Sequence, residues 1–249
     1  ALQDCMMLTK VYTKEGSELY TEDDAIIYSK DRKHLLRVAP AYTGGLNIDA
    51  AVTTVDSCAL ESVKLGYIRF NSAKMPVLKG ASLIDAAYMV AENVDECKAL
   101  FPNIDCVEGI DAVEIENVQE GKLIEAIGNK GYTRKDVRKV KISGVLNDAD
   151  IKSLFALPNL YYADLSKAAT TAASVTLSGT KLVDVKLPSG NYYLSMNDNK
   201  YMSGSLDIPE GVYALNYINN GHSAVKFPST LEYLGENSFK ESLIENLSL

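Results

Sequence analysis

The chain has 249 residues, 47% of them hydrophobic and 23% charged, and carries a formal net charge of -8 at pH 7. That length holds one or two domains with a substantial core, and the acidic balance argues against nucleic acid and an anionic membrane surface, since the only basic stretch is the short run Arg134 to Lys141. No apolar run reaches the roughly 18 residues that a membrane-spanning helix needs, so no such segment is expected.

In chain order, no signal peptide opens the sequence, and Ala1-Leu2 already matches Ala59-Leu60 and Ser238-Phe239. Residue 1 is therefore expected to fall inside a repeat, and the sequence to be a piece of a longer protein. Ala25-Ile26-Ile27-Tyr28 and Leu35-Leu36-Arg37-Val38 flank a polar connection, Ser29 to His34. They predict a hairpin inserted over 20–40, with His34 solvated in its turn. Leu46-Asn47-Ile48-Asp49, then Val52, Val55 and Leu60, recurs 179 residues later as Val225-Lys226-Phe227-Pro228, then Leu231, Leu234 and Phe239. Leu206-Asp207-Ile208-Pro209 joins them at an offset of 160.

Leu83, Ala87, Val90, Val94 and Leu100 lie at helical spacing ahead of Pro102, which predicts a helical cap over 81–101 that closes the first block. Val113-Glu114-Ile115 then reads as a strand and Leu123-Ile124-Ala126-Ile127 as a helix. Asn147-Asp148-Ala149-Asp150 supplies capping side chains for a helix whose apolar face is Ile151, Leu154, Phe155 and Leu157.

The last 113 residues repeat one phrase six times: Val137/Val140/Ile142, Leu160/Ala163/Leu165, Leu182/Val185/Leu187, Ser203/Leu206/Ile208, His222/Val225/Phe227 and Ile244/Leu247/Leu249. The steps are 23, 22, 21, 19 and 22 residues. The last two positions of each phrase are two apart, so on a strand both point to one side. Units this short cannot hold two helices, and one unit cannot bury enough apolar surface to offset the ordering of its backbone. The period predicts an α/β repeat solenoid of leucine-rich-repeat type: a right-handed coil with a parallel β-sheet face, short helices and loops on the return side, and the N-terminal β-hairpin insert. Ser203 and His222 break the pattern at the first position.

Outward between the buried positions stand Lys141, Asp164, Lys186, Asp207, Lys226 and Ser248, one per unit. Parallel stacking sets them side by side, either as a self-neutralising ladder or, with Tyr162 as an aromatic anchor, as a ligand-binding strip on the concave face. The candidate site is thus Lys141, Tyr162, Asp164, Lys186, Asp207 and Lys226. The next outward row is Ser143, Ser166, Pro188, Pro209 and Pro228, where proline suits strand ends.

Chemistry-bearing patterns are few. Cys5, Cys58, Cys97 and Cys106 are too sparse for a disulfide scaffold and read as buried free thiols, with a Cys97–Cys106 bridge as the foremost alternative. There is no CxxC pair and there are only two histidines, His34 and His222, so neither metal nor cofactor is expected. Asp23-Asp24 and Asp148/Asp150 are neighbouring carboxylates, not a pair opposed across a pocket. Neither GxSxG nor a phosphate-binding glycine loop occurs, and His222 alone offers a Ser/His/Asp base, so a non-enzyme is expected.

Leu206-Asp207-Ile208-Pro209-Glu210-Gly211-Val212 and Val225 to Phe239 resemble the BspA-like leucine-rich repeats of bacterial surface proteins. Asp24 to Pro40 resembles the hairpin insert common in that family, and Gly144 to Ser166 a second repeat type often found beside it. Asp49 in place of Pro and Leu60 in place of Phe depart from the pattern in the first block. The resemblance implies two repeat blocks, 1–110 and 111–249, the second of about six coils. It also implies secretion or display at the cell surface and adhesion to a host or bacterial surface protein or to a glycan. A structural spacer without a ligand of its own is the alternative.

Overall fold

In each unit, apolar residues that recur every twenty-odd positions fall on short strands that pair mostly in parallel, and many strands adjacent in sequence belong to different sheets. The computed structural model describes residues 5, 8–22, 25–80 and 83–248. Ala1, Leu2, Asp23, Asp24 and Leu249, which figure in the sequence reading, lie outside them. Most strand pairings are parallel, helices are few and short, and the chain divides into two compact units, Ala1–Gly109 and Ile110–Leu249.

In the first unit, β1 (Leu19–Glu22), β2 (Ile26–Ser29) and β3 (His34–Val38) form an antiparallel meander. Strand placement then alternates between two sheets: β4 (Gly45–Ile48), β5 (Thr54–Val55), β6 (Lys64–Phe70), β7 (Val77–Leu78) and β8 (Asp85–Val90). Helix α1 (Val94–Leu100) and β9 (Asp105–Val107) follow. One sheet runs β1-β2-β3-β5-β7 and the other β4-β6-β8-β9. The hairpin is present, and β3 also pairs in parallel with β5, so the hairpin is continuous with the sheet that follows it. His34 stands at the start of β3, its N–H donating to Ser29 Oγ at 3.0 Å.

The helical cap expected over 81–101 is replaced by β8 and the seven-residue α1. From Ala86 to Val90 every residue is buried, as in a parallel strand covered on both faces; such a strand loses its alternation and matched a helical spacing by accident. Cys97 in α1 and Cys106 in β9 form a disulfide, with Cα atoms 6.1 Å apart, whereas Cys5 and Cys58 are free and exposed. The expectation of four buried thiols is thereby corrected: the spacing of nine residues lets helix and strand fold back on each other.

The second unit opens with β10 (Ala112–Val118), α2 (Leu123–Asn129), β11 (Lys139–Leu146), α3 (Asp148–Phe155) and β12 (Tyr162–Thr170). Thereafter helices cease. The strands β13 (Ser174–Ser178), β14 (Asp184–Lys186), β15 (Tyr192–Asn197), β16 (Ser205–Asp207), β17 (Val212–Ile218), β18 (Ala224–Lys226), β19 (Tyr233–Leu234) and β20 (Asn246–Ser248) alternate between two lines. The return segments expected as loops therefore build a second parallel sheet, β13-β15-β17-β19. Its strands alternate in the sequence, with Val175 and Leu177, Leu194 and Met196, and Leu215 and Tyr217 all fully buried.

The phrase residues stack in register, Val113 with Val140, Ala163 and Val185, then Leu206 with Val225 and Leu247. Val185, Ile208 and Phe227 share one core with the side chains of the second sheet. The first line is interrupted, however: β10-β11-β12-β14 and β16-β18-β20 are separate sheets. The interruption falls at the unit where Ser203 stands in the first position and Met202, one residue earlier, is the fully buried side chain. Gly221 sits where a Cβ would run into the Met202 carbonyl, so only glycine lets the next turn approach it.

Prolines set strand length. β14, β16 and β18 each hold three residues and stop two short of Pro188, Pro209 and Pro228, while β11 and β12, with Ser143 and Ser166 at that place, run for eight and nine. A proline offers no N–H to the ladder, so pairing ends before it.

Two buried polar devices tie successive turns together. Asn199 and Asn220 are 0% and 2% exposed; Asn199 Nδ2 donates to Asn220 Oδ1 at 2.8 Å and to the Leu177 carbonyl at 3.0 Å, and Asn220 Nδ2 donates to the Met196 carbonyl at 2.8 Å. Thr180 continues the file by donating its hydroxyl to Asn199 Oδ1 at 2.7 Å. Asp150, 3% exposed, closes the capping box of α3 by accepting from Asn147 N–H at 3.1 Å. The same carboxylate accepts from Gly121 N–H at 2.6 Å and Leu123 N–H at 3.0 Å, at the start of α2.

At the far end of both ladders, Leu234 and Leu247 are 53% and 51% exposed, although their register partners Leu215 and Val225 are buried.

Removing the carboxylate strands one buried donor, at Leu123, and two part-buried ones, at Gly121 and Asn147, so Asp150→Ala is expected to lower stability by about 2–4 kcal/mol and Asp150→Asn, which keeps one acceptor, by less. Urea denaturation checks this; a loss under about 0.5 kcal/mol, the range of ordinary surface changes, would refute the role.

Candidate functional site

The file Glu114, Lys141, Asp164, Lys186 runs straight across β10, β11, β12 and β14, because each residue is the register partner of the next. It alternates in charge. Lys141 Nζ lies 2.9 Å from Glu114 Oε1, and Lys186 Nζ lies 3.1 Å from Asp164 Oδ2. The hydrogen bond from Lys141 holds the Glu114 carboxyl below its ordinary value, and the same bond raises the Lys141 ammonium. For Asp164, partial burial acts upward but is outweighed by the Ser166 hydroxyl and N–H, which donate to Oδ1 at 2.6 and 3.1 Å, and then by Lys186, so the carboxyl is lowered.

Tyr162 lies one file over, with Lys139 and Asp184 as register partners, and Lys139 Nζ stands 5.3 Å from its ring centroid. Two shallow depressions flank the charged file. One, of about 260 Å³, is lined by Glu114, Glu116, Lys141, Ser143, Asp164 and Lys167. The other, of about 290 Å³, is lined by Lys139, Lys141, Tyr162, Asp164, Asp184 and Lys186. Lys141 and Asp164 border both.

Of the six residues singled out in the sequence, Lys141, Tyr162, Asp164 and Lys186 come together on this face. Asp207 and Lys226 are register partners of each other on the separate ladder β16-β18-β20. Glu114, Glu116, Lys139 and Lys167 were missed. A signal for the first two exists: Ile110/Val113/Ile115 obeys the repeat phrase, one long step of 27 residues ahead of Val137.

The exposed ion pairs have little energy to contribute. The side chains of Glu114, Lys141 and Lys186 are 61%, 52% and 61% exposed, and such pairs are worth about 0.2–1 kcal/mol each. Among the described residues no three His, Cys, Asp or Glu converge as a metal-ligating group, and no described helix is long and apolar enough to cross a membrane.

His222 lies in the interior, 1% exposed, with Nδ1 2.8 Å from the Tyr217 hydroxyl. Burial pushes its pKa down to about 4 and pushes the Tyr217 phenol up. It fills a core position as a neutral side chain and faces no open surface, which removes it from the catalytic reading. No protein-family model matches the sequence, and no curated protein matches it either.

In the unfolded chain His222 takes up a proton near pH 6.5, whereas in the fold it does so only near pH 4. Its neutral burial is therefore without penalty above about pH 6.5, and stability falls as pH drops from there toward 4, by about 3 kcal/mol in total. His222→Phe is expected to remove that part of the slope; urea midpoints of both proteins at neutral and mildly acid pH test it, and parallel pH profiles would contradict it.

Proposed function

We propose that the chain is a non-catalytic binding module, a leucine-rich-repeat solenoid wound as a right-handed coil of the BspA-like kind, displayed outside the cell and bound through its charged file to a host or bacterial surface protein. The observation that carries this is the exposed run Glu114, Lys141, Asp164, Lys186 with a depression on either side. Its internal pairs are solvated and weak, so a partner with charges of the opposite order can replace them at little free-energy cost, and such contacts govern steering and specificity. The alternation of strands between two parallel lines at steps of about twenty residues supports the solenoid reading. The Cys97–Cys106 disulfide supports an oxidising, extracellular setting.

A second reading, a spacer with no ligand on this face, draws on the fact that Lys141 and Lys186 each already hold a carboxylate. The immobilised chain, probed with extracellular-matrix and bacterial surface proteins at low and high salt, separates the two. A protein ligand predicts salt-sensitive binding that Lys141→Glu/Lys186→Glu weakens by about tenfold or more. Binding indifferent to both changes, or none at all, favours the spacer.

A further inference from the structure

The second sheet of the C-terminal unit differs in chemistry from the first. None of the strands β13, β15, β17 and β19 contains Asp, Glu, Lys or Arg, in a chain that is 23% charged. Its inner positions fill the core. Its outer positions form two neutral files, Ser174, Tyr193, Ala214 and Tyr233, and Thr176, Ser195 and Asn216.

The five tyrosines on these strands fall into two sorts. Tyr192 and Tyr217 are buried, and their hydroxyls meet the Pro188 carbonyl at 3.0 Å and His222 Nδ1 at 2.8 Å. Tyr193, by contrast, is only part-buried, Tyr213 is 36% exposed at the bulge of β17, and Tyr233 is 65% exposed. No hydroxyl of these three meets a protein partner among the described residues. Tyr193 and Tyr233 share one file with Ala214, 9% exposed, between them, so their Cα atoms stand two strand spacings apart, roughly 9.6 Å, over a floor no larger than one methyl group.

An acceptor stands beside that floor. Asn216 Nδ2 donates to Asn197 Oδ1 at 3.1 Å, and Asn197 Nδ2 donates to Ser195 Oγ at 3.0 Å, which fixes both carboxamides. Asn216 Oδ1 takes no donor among the described residues and lies against Gly235, where a Cβ would come within 2.8 Å of it. No side chain at position 235 covers the oxygen.

We infer that this face binds an uncharged carbohydrate, with a pyranose ring seated over Ala214 between Tyr193 and Tyr233 and a sugar hydroxyl donating to Asn216 Oδ1. The apolar C–H faces of a pyranose match aromatic rings, and its hydroxyls need neutral partners; tyrosine, asparagine and serine supply both. A charged ligand would lose water here with no counter-charge to receive it. The site lies on the other sheet from the charged file and does not depend on protein binding there.

The test is affinity electrophoresis of the full chain through gels that contain laminarin, xyloglucan, mannan or amylopectin, with heparin and hyaluronan as charged counterparts. Retardation by at least one neutral polysaccharide is expected, unchanged by added salt and by Lys141→Glu/Lys186→Glu, and weakened about tenfold by Tyr193→Ala or Tyr233→Ala. Because Tyr233 is mostly exposed, its alanine variant should keep the wild-type circular dichroism and midpoint, so a folding defect can be told apart from a binding one. No retardation in any neutral gel, retardation by charged polymers alone, retardation of both tyrosine variants equal to that of the unmodified protein, or capture by this face of a protein stripped of its glycans would each overturn the inference.

Discussion

Parallel register is the constraint on which everything else in the C-terminal unit rests. A three-residue strand such as β16 has no stability of its own; it exists because β18 offers donors and acceptors at the right height and because Leu206 and Val225 share a core. Each turn must therefore arrive at two lines in phase with its neighbour. The buried amides of Asn199 and Asn220 enforce that phase, since a shift of one residue would strand polar groups in an apolar interior, where each costs about 1–3 kcal/mol. Asp150 does the same work where helices α2 and α3 replace strands.

What could be read from the sequence follows from how local each signal is. The apolar phrase, the prolines after β14, β16 and β18, the hairpin turn and the Asn147 cap are set by residues within a few positions of one another, and all appear where expected. The second parallel sheet was equally written, as alternation in Ser174 to Ser178 and Tyr192 to Asn197, but its pairing partners lie some twenty residues away and do not reveal themselves in one repeat. Strand β8 was hidden for another reason: burial on both faces erased the period that distinguishes strand from helix.

Half of the candidate site was legible in the same sense. The alternation of Lys141, Asp164 and Lys186 depends only on the repeat step, so parallel stacking brings them together. Asp207 and Lys226 obey the same rule but belong to another ladder, because the shift of the buried anchor from Ser203 to Met202 accompanies a break that no count of residues announces. Glu114 escaped because α2 lengthens the step between it and the next unit. The two sheets also divide the chemistry: one outer face carries exchangeable charges, and the other none at all. A single repeat period thus yields two outer faces of different chemistry, one whose charges salt screens and one that it leaves alone.

The exposed leucines at the end of the ladders show what each strand owes to the next. Leu234 and Leu247 occupy positions that are buried in every earlier strand of their ladders, where a following strand lies beside them. A substitution that loosens one inner strand therefore also uncovers the apolar row of its neighbour, so damage in the interior of this unit spreads along the ladder, whereas the same change on an outer file stays local.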